Sequence, residues 1–169
     1  MLIRQEDSKD FNEVYSVVKT AFATAEHKDG NEQDLVVALR NSDAFVPELS
    51  LVAEIDDKIV GHIMFTDAKV GMSTVLVVAP LSVLPEYQKQ GVGSALIKEG
   101  HRIAKKLGYK YSNLLGSEKY YPRFGYIPAE QLGIETPDGI PPVNFMAIKL
   151  QENAEPINGT IKYAKEFGL

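Results

Sequence analysis

The stretch LSVLPEYQKQGVGSAL, residues 81–96, decides how this chain is read. An apolar, strand-like run ends at Pro85 and a polar turn follows. Gln88, Gly91 and Gly93 then stand as Q-x-x-G-x-G where an amphipathic helix begins. Amides at a helix start have no partner inside the helix, and the helix dipole adds partial positive charge there. Glycines at alternate positions remove side chains that would hold an anion away from the backbone. Strand, glycine turn and helix in that order make an anion cradle. A plainer reading is also open, in which the glycines only permit a tight strand–helix connection. Two other phosphate motifs do not fit. No Lys-Ser/Thr pair follows the glycines, as a P-loop needs, and Leu96 stands where a dinucleotide fingerprint has its third glycine.

Outward from this stretch, apolar periodicity assigns the remaining elements. A helix runs from Gly91 to about Leu107, with Val92, Leu96, Ile103 and Leu107 as its buried stripe and Gly108 as its stop. Gly100 falls near that stripe and would allow close approach to a sheet. Upstream, Leu2–Gln5 reads as a first strand. Phe11, Val14, Tyr15, Val18 and Phe22 repeat at helical spacing, and Asn31 with Asp34 opens a second helix. Leu51–Ile55 and Lys58–Phe65 are strands joined by the turn Asp56-Asp57, and Val75–Val83 is another. Downstream come a strand over Tyr109–Leu115, a short helix around Glu118–Phe124, and closing strands over Asn144–Leu150 and Thr160–Tyr163. No repeat or linker interrupts residues 1–169, which read as a single domain.

Composition narrows the function classes. The 169 residues are 44% hydrophobic and 24% charged, ordinary for a soluble globular protein. A net charge of −5 gives no general attraction to nucleic acid. The start MLIRQEDSKD lacks a signal-peptide layout and no apolar run has the length of a membrane span, so a cytoplasmic location is expected. Cysteine is absent, which removes disulfides, thiolate metal sites and a cysteine acyl-enzyme. Any acyl transfer would have to be direct or pass through a hydroxyl. His27, His62 and His101 show no metal-ligand spacing, so no metal is expected.

The Q-x-x-G-x-G turn after a strand resembles the acetyl-CoA pyrophosphate loop of the GNAT (Gcn5-related) N-acetyltransferases, whose signature is [R/Q]-x-x-G-x-[G/A]. The order of elements is similar to that family across nearly the whole chain. A second segment, Gly116 to Tyr126, carries Y-x-x-x-G-[F/Y] as Tyr121, Gly125 and Tyr126, and resembles the family's C-terminal motif. Its L-G-x-x-x-Y-Y-x-R-F-G form is similar to a branch of small predicted N-acetyltransferases. The resemblance implies an α/β fold, with a mixed, mostly antiparallel splayed sheet flanked by helices. It implies acetyl-CoA (coenzyme A) as cofactor and direct acetyl transfer to a primary amine in a ternary complex.

Site residues follow from the same resemblance. Amides from Lys89, Gln90, Gly91, Val92, Gly93 and Ser94 would hold the pyrophosphate, with the Gln88 side chain shaping the loop. Leu81, Ser82 and Val83 would meet the pantetheine arm, and Pro80 suits a strand with an interrupted ladder. Tyr121 would protonate the leaving thiolate, and Tyr120 is assigned to packing. Many relatives carry an Asn at the end of the preceding strand; here that strand ends Leu114-Leu115-Gly116, and Ser117 either replaces the contact or caps the helix.

The general base is not named by any motif. His62, between Gly61 and Ile63, is the titratable candidate, and a hydrogen-bonded core histidine fits its position equally. Glu26 and His27 are candidates for lining the acceptor cleft, as is Glu118, and a water chain is an alternative route for the proton. The acceptor is a small-molecule or peptide amine of unspecified identity, and the family resemblance admits a homodimer. A non-catalytic acyl-CoA-binding module is the rival reading. It would keep the glycine loop without needing Tyr121.

Overall fold

The computed structural model describes residues 1–23 and 30–168. Helix α1 spans Phe11–Ala23, α2 Glu32–Arg40 and α3 Val92–Lys106. The strands are β1 Leu2–Gln5, β2 Phe45–Ile55, β3 Lys58–Val70, β4 Ser73–Val83, β5 Tyr111–Leu115, β6 Ile127–Pro128, β7 Ile134–Glu135, β8 Phe145–Lys149 and β9 Gly159–Lys162. They form one sheet in the order β1-β2-β3-β4-β5-β8-β6, with β9 joining β3 and β7. Most neighbours are antiparallel; β4–β5 and β7–β9 are the parallel pairs. This is the mixed, mostly antiparallel sheet that the resemblance implies.

The β2–β3 hairpin turns at Asp56 and Asp57, both in the left-handed region (φ 51° and 64°) that such a tight turn demands. Both hairpin strands run further than their apolar cores suggest. In β2 the added residues include the buried Val46 and Leu49, and in β3 the buried Ala68 and Val70; Glu48, Ser50, Asp67 and Lys69 among them break up the apolar run, and pairing carries the strands past it. Strand β3 lies at the centre, buried along most of its length.

Helix α3 packs on β2, β3 and β4. Two glycines set how closely. A Cβ at Gly61 of β3 would meet Val92 at 2.9 Å and Leu96 at 3.1 Å, and one at Gly100 of α3 would fall inside the Phe65 ring. Alternation along β3 turns Gly61 and Phe65 toward α3, and His62 toward the opposite face. There α1 covers β3 and β4, with Val14, Val17 and Val18 buried.

The α3 stripe differs from its sequence reading at one end. Val92 and Leu96 are buried, together with Ile97, Gly100, His101 and Ala104, whereas Leu107 is 43% exposed. The helix ends at Lys106; Leu107 is its C-cap, still helical and bonded to the Ile103 carbonyl, and its exposed side chain lies past the last buried position, Ala104. The short helix around Glu118–Phe124 is only a 3-10 turn over Tyr121–Phe124. Pro122 cannot donate the amide a longer helix would use, and Gly125 stops the turn in the left-handed region (φ 101°).

Substitution of Gly100 by Val should lower stability by about 1–3 kcal/mol in urea unfolding, the range for overpacking a tight core. Adding Phe65→Leu should recover part of that loss. A Gly100→Val protein as stable as wild type would mean that α3 is not held at this distance.

Candidate functional site

Strand β4 pairs with β3 to its end, but with β5 only at Leu76↔Ser112 and Val77↔Asn113. Beyond Val77 the parallel strands diverge, so residues 78–83 have no strand partner on the β5 side. Between the pairs Ile63↔Leu81 and Phe65↔Val78, β4 uses one residue more than β3. The resulting bulge falls at Ala79 and Pro80, where proline has no ladder amide to give. Leu81 and Val83 are half-buried beside the gap, and Ser82 is buried on the face opposite α3.

The gap leads to the turn before α3. The backbone amides of Lys89, Gln90, Gly91, Val92, Gly93 and Ser94 have no acceptor among the described residues; the next, Ala95, bonds to the Gly91 carbonyl at 3.0 Å. Six successive free donors at a helix start are the anion cradle in its full form. Side chains brace the turn from behind. Gln88 Nε2 donates to the Val83 carbonyl (3.2 Å), and Gln90 Nε2 to the Glu86 carbonyl (2.9 Å).

The two glycines of the motif have different physical reasons. Gly91 is left-handed (φ 87°) with open space where a Cβ would be, so its backbone conformation requires glycine. Gly93 has a side chain's place already taken, because a Cβ there would meet Tyr120 Oη at 2.6 Å and Leu81 Cδ2 at 3.8 Å. Tyr120 therefore lies across the first turn of α3, a placement that its expected packing role did not contain. A glycine in an ordinary helical turn, next to one needed for its φ, was the available signal.

Tyr121 stacks edge-on against Tyr120 (5.0 Å) and Tyr126 (6.0 Å), and its ring occupies the space above Gly116 at the end of β5. Its hydroxyl has no hydrogen-bond partner among the described residues. Burial pushes the phenol above its ordinary pKa, so it is protonated at neutral pH and able to donate. Behind it, Tyr126 Oη lies 2.9 Å from both His101 Nε2 and Ser112 Oγ. Burial lowers His101 to a pKa of about 4, and the nearby Lys105 adds to the shift. The Tyr126 hydroxyl thus shares one hydrogen bond with the neutral His101 ring and one with Ser112. Gly116 and Asn144 exchange hydrogen bonds, and Asn144 Nδ2 also reaches Glu118 at 2.7 Å, so Glu118 is tied to this loop. Ser117 Oγ caps the Lys119 amide at 3.1 Å.

His62 is placed elsewhere, with no exposed surface. Its Nε2 lies 3.1 Å from Ser50 Oγ, and Ser50 donates to Glu6 at 2.7 Å. Arg40 clamps the same carboxylate with two bonds of 3.0 Å. Burial lowers His62 to a pKa of about 4, partly offset by Glu6 and deepened by Arg40. His62 stands opposite Ser82 in the β3–β4 register. The sequence offered no sign of this buried Arg40–Glu6–Ser50–His62 chain. Glu26 and His27 lie outside the described residues.

The model of the acetyltransferase (GNAT) family matches residues 11–126. The uncharacterised N-acetyltransferase YjhQ of Escherichia coli (strain K12) is 39% identical over 140 residues, 80% of this chain and 75% of that protein. Among solved structures, a GNAT family acetyltransferase from Brucella melitensis in complex with acetyl-CoA superposes with a TM-score of 0.81. It is 30% identical, over 98% of this chain and 97% of that one. The GNAT family N-acetyltransferase YhbS from Escherichia coli, in complex with CoA, gives 0.88 at 25% identity, over 99% and 92% of the two chains.

Both buried histidines have folded pKa values below the unfolded value of about 6.5. The unfolded chain therefore binds more protons between pH 6.5 and 4, and their contribution to stability is full above that window. Urea midpoints should fall as the pH drops from 6.5 toward 4. The slope should be shallower in His101→Gln; an unchanged slope would show that His101 is not held neutral.

Proposed function

This chain belongs to the GNAT acetyltransferase family, and on that premise we propose that it transfers an acetyl group from acetyl-CoA to a primary amine by direct attack in a ternary complex. The observation that carries the reading is the run of six free amides from Lys89 to Ser94, opening from the gap between β4 and β5. The pyrophosphate of acetyl-CoA would take up those donors. Its pantetheine arm would lie along Leu81, Ser82 and Val83, which have no strand partner on the β5 side.

In this mechanism the amine nitrogen attacks the thioester carbonyl carbon, and the C–S bond breaks as the tetrahedral intermediate collapses. The departing thiolate takes the Tyr121 proton, the attacking nitrogen sheds its second proton to water as the amide forms, and the phenol is restored from that water. An alkylammonium, with an ordinary pKa near 10.4, must first lose a proton. The catalytic role expected of His62 is not carried into the proposal, since a fully buried ring with a pKa of about 4 neither meets the amine nor holds its proton at neutral pH. Water is the acceptor in this reading, and the amine is a small molecule or peptide. Among the described residues no helix is long and apolar enough to cross a membrane.

Calorimetric titration should show acetyl-CoA binding that is lost in Gly91→Glu and not displaced by ATP. Thiol release over a panel of amines should then fall about 10²-fold in kcat for Tyr121→Phe, with KM for acetyl-CoA little changed. Binding without turnover on any amine would favour a non-catalytic acyl-CoA-binding module. Folded wild-type protein that bound no acetyl-CoA would overturn the proposal.

A further inference from the structure

The Tyr120 hydroxyl has no hydrogen-bond partner among the described residues, yet its ring is fixed on three sides. Tyr121 and Phe124 pack against it edge-on, at 5.0 and 5.2 Å between ring centres. The Arg123 guanidinium lies 4.8 Å over the ring, and Arg123 Nε donates to the Tyr120 carbonyl at 3.0 Å. Such a cation–ring contact adds to the bracing. The hydroxyl thus held stands 2.6 Å from where a Gly93 Cβ would be, on the turn that carries the free Val92, Gly93 and Ser94 amides.

A braced phenol with no partner thus stands beside a row of amides with no acceptor, where a charged acceptor could take both. We propose that Tyr120, seated on Gly93 and braced by Arg123, donates a hydrogen bond to the phosphate end of the bound acyl-CoA. Residues 93 and 120 then act as a pair, because the missing side chain of one makes room for the hydroxyl of the other. This rests on reading residues 88–94 as the acyl-CoA phosphate loop. It gives Tyr120 a different task from Tyr121, which stands over Gly116 at the end of β5.

The test is calorimetric titration of CoA, and of 3′-phosphoadenosine 5′-diphosphate as the piece without pantetheine, into wild type, Tyr120→Phe, Gly93→Ala and the double variant. Tyr120→Phe keeps the ring and its packing, so its urea midpoint should match wild type. Its affinity for both ligands should fall about tenfold, the scale of one hydrogen bond to a charged group. Gly93→Ala should also weaken binding, by displacing the hydroxyl. Added to Tyr120→Phe, it should cost little more. Unchanged affinity in Tyr120→Phe, a loss seen with CoA alone, or effects of the two substitutions that simply add would each overturn the proposal. Gly91→Glu separates the two ideas: if it abolishes CoA binding by an otherwise competent wild type, the loop reading stands whatever Tyr120 does. Failure of wild type to bind CoA overturns both.

Discussion

The divergence of β4 from β5 is the constraint on which the rest of this molecule depends. β4 cannot follow both neighbours, since it runs antiparallel to β3 along its length and meets β5 at only two residues. A bulge at Ala79 and Pro80 settles the conflict in favour of β3. One edge of β4 is thereby left with backbone groups and no strand to receive them. Such an edge inside a sheet is costly unless something else takes up its hydrogen bonds. The free amides of the turn before α3 continue the same line of unmet donors. The open gap and the open helix end are thus one feature, made by a single strand choosing one partner.

Holding that feature open needs a stiff frame. On one face, Gly61 and Gly100 bring α3 close to the sheet, so the helix start is fixed relative to β3 and β4. On the other, the chain from Arg40 through Glu6 and Ser50 to His62 ties α2, the segment after β1, β2 and β3 into one buried set of bonds. A buried charge pair gains little over a well-packed apolar contact, but breaking it on one side strands the other.

The backbone part of this site was legible in the sequence, because a strand, a glycine turn and an amphipathic helix act through local geometry. Gln88, Gly91 and the amides to Ser94 occupy the places their spacing assigns. Placement that depends on long-range packing was not legible. Tyr120 and Tyr121 are adjacent and alike in sequence, and only the fold sets one over Gly93 and the other over Gly116. His62 alternates correctly for a central strand, but Glu6 and Ser50 reach it from 56 and 12 positions away. The short strands β6 and β7 carry too few residues for any period to show. Leu107 was misread because a period in sequence says nothing of where the helix stops.

β9 takes over the edge of β3 beyond the end of β2, pairing Val70 with Ile161 and Lys69 with Lys162. A ribosome delivers β3 long before β9, so that edge spends much of synthesis as an unpaired strand end in a nascent chain. Its next residues, Gly71 and the almost wholly exposed Met72, form a turn that offers no cover. Exposed strand edges are where incomplete chains associate with one another. The closing strand thus acts as a seal, and a chain cut short before residue 159 would carry the gap and the helix start of its site on a sheet with a raw edge.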